Sequence, residues 1–405
     1  MGTFALGTFA GWSLVVLVAR LVRGPFFAVF AAVIFGVHSL SSVGLASPGS
    51  ALFPVFVALQ VATLVHFLVL SKPSMRGPLY RAFVSWPASW FVAACFLGIP
   101  WSVAQAFGLH PPLEFLPFAL ATVGFSQSMF AREEDVHVRL DDPPLPTERP
   151  VRAPVARDAD GSSRPLRIVQ LTDTHLGPFM SVDALAAICE RAVAREPDLI
   201  LLTGDYMTME SQQSPEHLVR ALAPLAKARG RVFACHGNHD HEAPAIVAEA
   251  MRANGITLLL DDEAVVETPA GPVQILGAEF TRGDRASHLG RLASRFPRID
   301  GHLRLWLLHH PGAFADIPEG EADLVLSGHT HGGQLGLVSL GVPHTAVSMF
   351  SDIPDHGLWA RGRDRLYVHR GTCHYGFPLR LGVPSERSML HVTMPRRARS
   401  ELVAA

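Results

Sequence analysis

Two imidazoles two residues apart, His329 and His331, sit in the glycine-bracketed run Ser327-Gly328-His329-Thr330-His331-Gly332-Gly333-Gln334. In near-extended backbone, side chains at i and i+2 project to one side, so both rings can reach a shared polar site. Glycine tolerates the dihedrals and the close approach that such a turn asks for. Alone, His-x-His is more often a surface pair than a metal site, but four other stretches answer it. Each is an apolar run of β-forming residues that stops abruptly at Asp, His or Asn. Ile168–Thr172 leads into Asp173-Thr174-His175, and Leu199–Thr203 into Gly204-Asp205. Val232–Cys235 leads into His236-Gly237-Asn238-His239-Asp240, and Leu305–Leu308 into His309-His310-Pro311. Asp323–Leu326 precedes the glycine-bracketed run itself. Polar groups at the carboxyl ends of strands are where sites form in open α/β sheets.

The donors collected in this way are Asp173, His175, Asp205, Asn238, His309, His329 and His331. They offer carboxylate, amide and imidazole atoms and no thiolate, a mixture that suits Mn, Fe or Zn rather than a cysteine-rich zinc site or an all-oxygen calcium site. Seven donors are too many for one tetrahedral ion. They suit two ions roughly 3.5–4 Å apart that share a carboxylate, activate a water and clamp both oxygens of an in-line phosphoryl displacement.

The elements that must hold these residues read as alternating strands and helices. Val182–Ala194 is an amphipathic helix with Ser181 as N-cap, and further helices are expected over 216–228, 245–253 and 288–295. Strands are expected at 231–235, 256–260, 264–267, 273–280, 303–308, 324–326 and 365–369. Helix-linked and directly connected strands together favour a two-sheet α/β domain, a four-layer α/β/β/α sandwich over about 167–396.

The first 130 residues are of another kind. The chain has 405 residues, 49% hydrophobic and only 17% charged, and the charge is concentrated beyond this point. Apolar segments run over about Phe4–Val22, Pro25–Leu45, Ala51–Ser71, Phe83–Gln105 and Pro112–Phe130, each near the roughly 20 residues that cross a bilayer. Five spans are therefore expected. Glu114, Pro117 and Gln127 make the last one the least apolar, with a buried or interfacial helix as its alternative. No Lys or Arg precedes the first, so it is not a cleavable leader. His38, His66, Gln60 and Gln105 read as interhelical hydrogen-bonding or interfacial groups. Residues 131–166 form a charged, proline-rich linker in which Val136–Leu140 alternates like an edge strand, and Asp158–Ser163 is a turn signal. Arg20 and Arg23, then Lys72, Arg76 and Arg81, fall in alternate connections, which places these loops inside, the N-terminus outside and, with five crossings, the second domain in the cytoplasm.

A net charge of −2 gives no basic footprint, so nucleic acid is not an expected partner. The four cysteines, Cys95, Cys189, Cys235 and Cys373, have no paired or metal-type spacing. No protein partner is inferable.

The ordered series Asp-x-His, Gly-Asp, Gly-Asn-His-Asp, His and Gly-His-x-His resembles the calcineurin-like metallophosphoesterase family over about Arg167–Met394. The resemblance implies that Asp173, His175 and His331 hold one metal, that Asn238, His309 and His329 hold the second, and that Asp205 bridges them, with a metal-bridging hydroxide attacking phosphorus. His239 would face the substrate phosphate and assist the leaving group as the catalytic residue outside the ligand set. Asp240 would orient His239 or cap the following helix. His236, His241, His310, His369 and His374 read as surface or supporting residues. The chain lacks the longer signature of protein serine/threonine phosphatases, since Asp205 is followed by Tyr206-Met207-Thr208. It is more similar to the membrane-anchored subgroup that includes the transmembrane protein with metallophosphoesterase domain. The implied substrate is a phosphodiester or a lipid-linked pyrophosphate of the UDP-diacylglucosamine type, met at the membrane lipid. Alternatives are a phosphomonoesterase and a non-catalytic membrane-tethered module. The apolar stretch Leu335–Phe350 reads as a buried strand and loop, or as a rim that receives acyl chains.

Overall fold

The computed structural model describes residues 2–156 and 164–393. The expected turn signal at Asp158–Ser163 and the expected end of the catalytic domain at 394–396 lie outside the described residues. The chain divides into a helical unit, 1–129 with the short segments 209–213 and 375–381, and a second unit formed by the rest.

In the helical unit Gly2–Val22, Pro25–Leu45 and Phe53–Leu70 are helices long and apolar enough to cross a bilayer. Proline stands in the first turn of the second and third, where a missing N–H is not needed. Val15, Ala19, Phe27, Ala31, Phe35 and Phe67 pack together, while Leu17, Leu21, Phe26 and Val29 stay exposed, as helices apolar all round require in lipid. His38 Nε2 and Gln60 Oε1 meet at 3.0 Å between the second and third helices. The fourth apolar segment is broken, with Pro78–Leu97 and Ile99–Ala106 inclined by 57°. Gly98 stands at the break, and Pro100 adds a residue that cannot donate to the preceding turn. In the expected fifth segment, Pro112–Phe130, the helix is short. Only Leu116–Met129, 14 residues, is helical, a rise of about 21 Å against about 30 Å of hydrocarbon. Leu113, at φ 59°, turns the backbone just before it.

The second unit is a two-sheet α/β sandwich. Its strands are β1 (Ala131–Arg139), β2 (Val151–Arg152), β3 (Leu166–Leu171), β4 (Leu199–Leu202), β5 (Val232–Ala234), β6 (Thr257–Leu258) and β7 (Asp262–Thr268). They continue with β8 (Gly271–Gly277), β9 (Leu303–Leu307), β10 (Leu324–Ser327), β11 (Gly357–Arg361), β12 (Asp364–Val368) and β13 (Ser385–Thr393). One sheet has the order β1-β13-β3-β4-β5-β6 and the other β2-β11-β12-β10-β9-β8-β7. β3 to β6 are parallel, as are β8, β9, β10 and β12.

The period-two alternation of strands explains the layering. Ile168, Leu199 and Leu201 face Leu303, Leu305, Leu324 and Leu326 of the other sheet in one core. Val169, Ile200 and Leu202 turn outward onto the helices Val182–Ala194, Pro215–Leu222 and Pro244–Asn254. On the far side Trp306 and Val325 pack with Leu289 and Leu292 of the helix Arg285–Arg295. Both faces of the central strands are thus buried, which is why they read as unbroken apolar runs, and each such Leu or Ile contributes about 1.5–3 kcal/mol.

Local signals set the helix ends. Ser181 Oγ accepts from Ala184 N at 3.2 Å, and Gly255 closes Pro244–Asn254 at φ 65°. The expected helix over 216–228 is instead α-helical only at Pro215–Leu222 and tightens to 3₁₀ over Ala223–Ala228, where Pro224 lacks a donor. The expected linker contributes two strands: β1 runs parallel to β13, Val136 beside Leu390, and β2 pairs with β11. The stretch Leu335–Phe350 does not form the expected buried strand. It holds the 3₁₀ turn Val338–Leu340 and the short helix Ala346–Phe350, with Leu340, Met349 and Phe350 at 76%, 70% and 87% exposure.

Candidate metal centre

Five strands deliver the candidate donors, β3, β4 and β5 from one sheet and β9 and β10 from the other. Asp173 and His175 follow β3, Asp205 follows β4, Asn238 follows β5, His309 follows β9, and His329 and His331 follow β10. The backbone there is unusual. Nine non-glycine residues among those described have left-handed φ, and five of them are Asp173, His175, Asp205, His329 and His331. Each such conformation costs about 1–2 kcal/mol, so the surrounding structure must hold it, and strain of this kind collects at functional sites. The turns also approach one another closely. A Cβ on Gly328 would stand 2.1 Å from Asp173 Oδ2, and one on Gly237 would stand 2.2 Å from Asp205 Oδ1.

The donors form two groups. Asp173, His175 and His331 are one, and Asp205, His309 and His329 the other. In the first, His175 Nε2 and His331 Nε2 are 3.1 Å apart, and Asp173 Oδ1 is 3.2 Å from His331 Nε2. In the second, His309 Nε2 lies 3.2 Å from both Asp205 Oδ2 and His329 Nδ1. Asp205 Oδ2 is also 4.0 Å from His175 Nε2 of the first group, so one carboxylate oxygen faces both. Asn238 Oδ1 is buried and receives no hydrogen bond, the condition of an oxygen left for a cation. The donor set therefore fits divalent metal.

The rings are aimed from behind. His309 Nδ1 donates to the Thr203 carbonyl at 2.7 Å, and His331 Nδ1 to the Cys373 carbonyl at 3.0 Å, which turns each Nε2 toward the centre. Asp173 is fixed by Thr172 Oγ1 at 2.8 Å and by the His329 amide. Burial pulls His175 down to about 3, with His331 adding to it, and burial with His309 brings His329 to about 3. Burial acts on His309 in the same sense, but Asp205 and Asp173 outweigh it and raise this ring to about 10. Burial opposes the charge on Asp173 and Asp205 too, yet the facing imidazoles hold both below the ordinary carboxylate range. Two buried carboxylates thus draw positive charge into the space between the groups.

His239, the candidate proton donor, lies with its ring 5.7 Å from that of His175. Its Nδ1 meets Glu242 Oε1 at 2.8 Å, and its amide donates to Asp205 Oδ1 at 2.9 Å. Burial disfavours its charged form, but Glu242, Asp205 and Asp240 prevail and the ring sits above its ordinary value. Asp240 neither orients His239 nor caps a helix, contrary to the sequence expectation. Its buried carboxylate accepts the amides of Asp205 at 2.7 Å, Tyr206 at 3.0 Å and Gly237 at 2.7 Å, tying the β4 loop to the β5 loop. Thr203 and Cys373 act through carbonyls and carry no sequence signal. Glu242, at i+3 from His239, could have been read as a partner.

A calcineurin-like phosphoesterase family model matches residues 166–333. Phosphodiesterase YaeI of Escherichia coli (strain K12) is 30% identical over 236 residues, covering 57% of this chain and 83% of that protein. The uncharacterized metallophosphoesterase YkuE of Bacillus subtilis (strain 168) is 30% identical over 229 residues, 53% of this chain and 74% of that one. The transmembrane protein with metallophosphoesterase domain of Danio rerio is 28% identical over 235 residues, 55% of this chain and 52% of that one.

Replacing Asp240 with alanine would leave three buried amides without an acceptor, at about 1–3 kcal/mol each. Asp240→Ala is expected to lower stability by at least about 3 kcal/mol, and Asp240→Asn by less. Thermal unfolding of the purified protein checks this, and an unchanged midpoint for the alanine variant would count against the tie.

Proposed function

Because the chain belongs to the calcineurin-like phosphoesterase family, we propose that this phosphoester hydrolase is a membrane-anchored phosphodiesterase working with two divalent ions, held by the seven donors Asp173, His175, Asp205, Asn238, His309, His329 and His331. The observation that carries the reading is Asp205, whose Oδ2 faces His309 at 3.2 Å and His175 at 4.0 Å. That is the position a shared carboxylate needs. Asp173, His175 and His331 would hold one ion, and Asn238, His309 and His329 the other. Bound there, Mn, Fe or Zn would supply Lewis-acid charge to the phosphate oxygens and make water more acidic. The protein's own part is to orient and to move a proton. Burial opposes the charged form of His239, but Glu242 favours it and engages Nδ1, so Nε2 is the nitrogen that would hand a proton to the departing oxygen. Asp240 keeps the Asp205 and Asn238 loops in register.

The substrate we propose carries an apolar portion, as a membrane phosphodiester or a lipid-linked pyrophosphate of the UDP-diacylglucosamine type does. In support, an open groove of about 480 Å³ is lined by the donor His329 and by Ala346, Val347, Phe350 and Ile353. A donor histidine and apolar side chains in one groove match a phosphate joined to a hydrophobic group. Three candidate spanning helices and relatives named transmembrane support membrane association. We place the catalytic domain on the cytoplasmic side. The distribution of Arg20, Arg23, Lys72, Arg76 and Arg81 supports this, as do four cysteines that are all buried and free. Leu116–Met129 must then cross in a locally thinned bilayer.

Chelation is expected to abolish hydrolysis of an aryl phosphodiester, and Mn or Zn to restore it. His239→Ala should keep both ions and lose about 10²–10⁴-fold in turnover on poor leaving groups. Full turnover in the chelated protein, or in His239→Ala, refutes the respective role.

Phe350→Asp should raise KM about tenfold for a lipid-linked diester, the equivalent of about 1.4 kcal/mol, and leave a small aryl diester unaffected. Equal effects on both substrates would argue against the apolar subsite.

C-terminal fusions report the side of the membrane. Green fluorescent protein should fluoresce and alkaline phosphatase stay inactive, whereas the reverse would put the domain outside.

A further inference from the structure

A third donor set lies apart from the two groups of the candidate centre. His236 follows β5, Glu279 follows β8, and His241 lies in the 3₁₀ turn Asp240–Glu242. His236 Nδ1 is 3.2 Å from Glu279 Oε2, and His241 Nε2 is 3.1 Å from Glu279 Oε1. One donor atom from each of the three falls within 4.8 Å of the others. Donors bound tetrahedrally at about 2.0–2.1 Å stand roughly 3.3 Å apart, and the separations here match the 3.1–3.2 Å within the two groups described above.

The carboxylate is anchored from outside the cluster. Glu279 N donates to Asp261 Oδ1 at 2.9 Å, and Glu279 Oε1 accepts from Phe280 N at 3.0 Å. The His236 side chain is only 4% exposed, and its Nε2 is buried with no hydrogen-bond partner. Without a cation, the Glu279 carboxylate draws the ring proton to Nδ1; a bound ion would take the place of that proton and leave Nε2 as the protonated nitrogen. The side chains of Glu279 and His241 are 26% and 41% exposed, so solvent reaches the set from their side.

We propose that His236, His241 and Glu279 form a third, mononuclear transition-metal site, with two imidazoles, one carboxylate and a fourth position open to water or an anionic oxygen. Its donors suit a zinc-class ion, because three protein ligands of this composition leave zinc one exchangeable place. The ion is separate from the pair assigned to the catalytic centre, and its presence does not depend on that assignment.

Zinc content decides the matter. Full-length protein in detergent, stripped with chelator and reloaded with Zn²⁺ alone, would be desalted and measured by mass spectrometry. His241→Ala and Glu279→Gln should each hold one equivalent less than the unmodified protein. The deciding comparison is Asp205→Ala against Asp205→Ala/His241→Ala, with Co²⁺ absorption as a second readout. One equivalent in the single variant, with tetrahedral Co²⁺ bands lost in the double variant, supports the site. No difference between the two, in content or spectrum, overturns it. Failure of the dinuclear reading would appear separately, as an Asp205→Ala protein that keeps the metal content of the unmodified one.

Discussion

Asp173 and Asp205 are carboxylates removed from water, at 0% and 2% exposure, and the arrangement around them answers the need to balance their charge. A buried ion without a partner costs several kcal/mol. Here an imidazole stands 3.2 Å from each, His331 beside Asp173 and His309 beside Asp205. The same demand raises His309 to about 10 while its neighbours His175 and His329 stay neutral. A site with this electrostatic bias favours cations, and the orientation of the rings by the carbonyls of Thr203 and Cys373 presents their nitrogens inward.

Holding the charges together sets the backbone around them. Five donors adopt left-handed φ, which turns side chains from successive strand ends toward one point at the cost of local strain. The strain is tolerated because the loops lock to one another. Asp240 gathers amides from the β4 and β5 loops, Asp173 accepts the His329 amide across the two sheets, and Gly328 and Gly237 leave room where any Cβ would collide with a carboxylate. Beneath them, strands buried on both faces provide a platform that cannot shift without opening the core between the sheets. Catalytic geometry and fold stability are here secured by the same hydrogen bonds.

The helical unit solves a different problem with different means. Its helices are apolar on every side and bury small and aromatic residues such as Ala19, Ala31 and Phe35 against one another. Inside it His38 Nε2 meets Gln60 Oε1, and Ser41 Oγ donates to the Cys95 carbonyl. In the second unit the longest run of exposed apolar residues, Leu337, Leu340, Val342, Met349 and Phe350, follows the histidine turn. A water-facing surface seldom concentrates such residues without a use for them.

The sequence by itself determined the donors and the elements that carry them. Apolar runs that stop at Asp, His or Asn are local signals, and so are Ser181 as a cap, Gly255 as a stop and the long apolar helices of the first 70 residues. Their division between two ions was implied by the resemblance to a known family and not by spacing or residue type. Tertiary structure alone decided what depends on residues far apart in the chain. The alternation at Val136–Leu140 reads as an edge strand, but β1 and β2 find their partners β13 and β11 200 or more residues later, and no local pattern encodes that pairing. Asp240 became a tie between loops, rather than a helix cap, because β4 lies beside β5. Leu116–Met129 is shorter than its apolar composition suggests because the turn at Leu113 uses up the residues before it. His236, His241 and Glu279 met only because β5 and β8, in different sheets, end near each other. Spacing in sequence carries information about faces within one element, but the convergence of separate elements is set by how they pack.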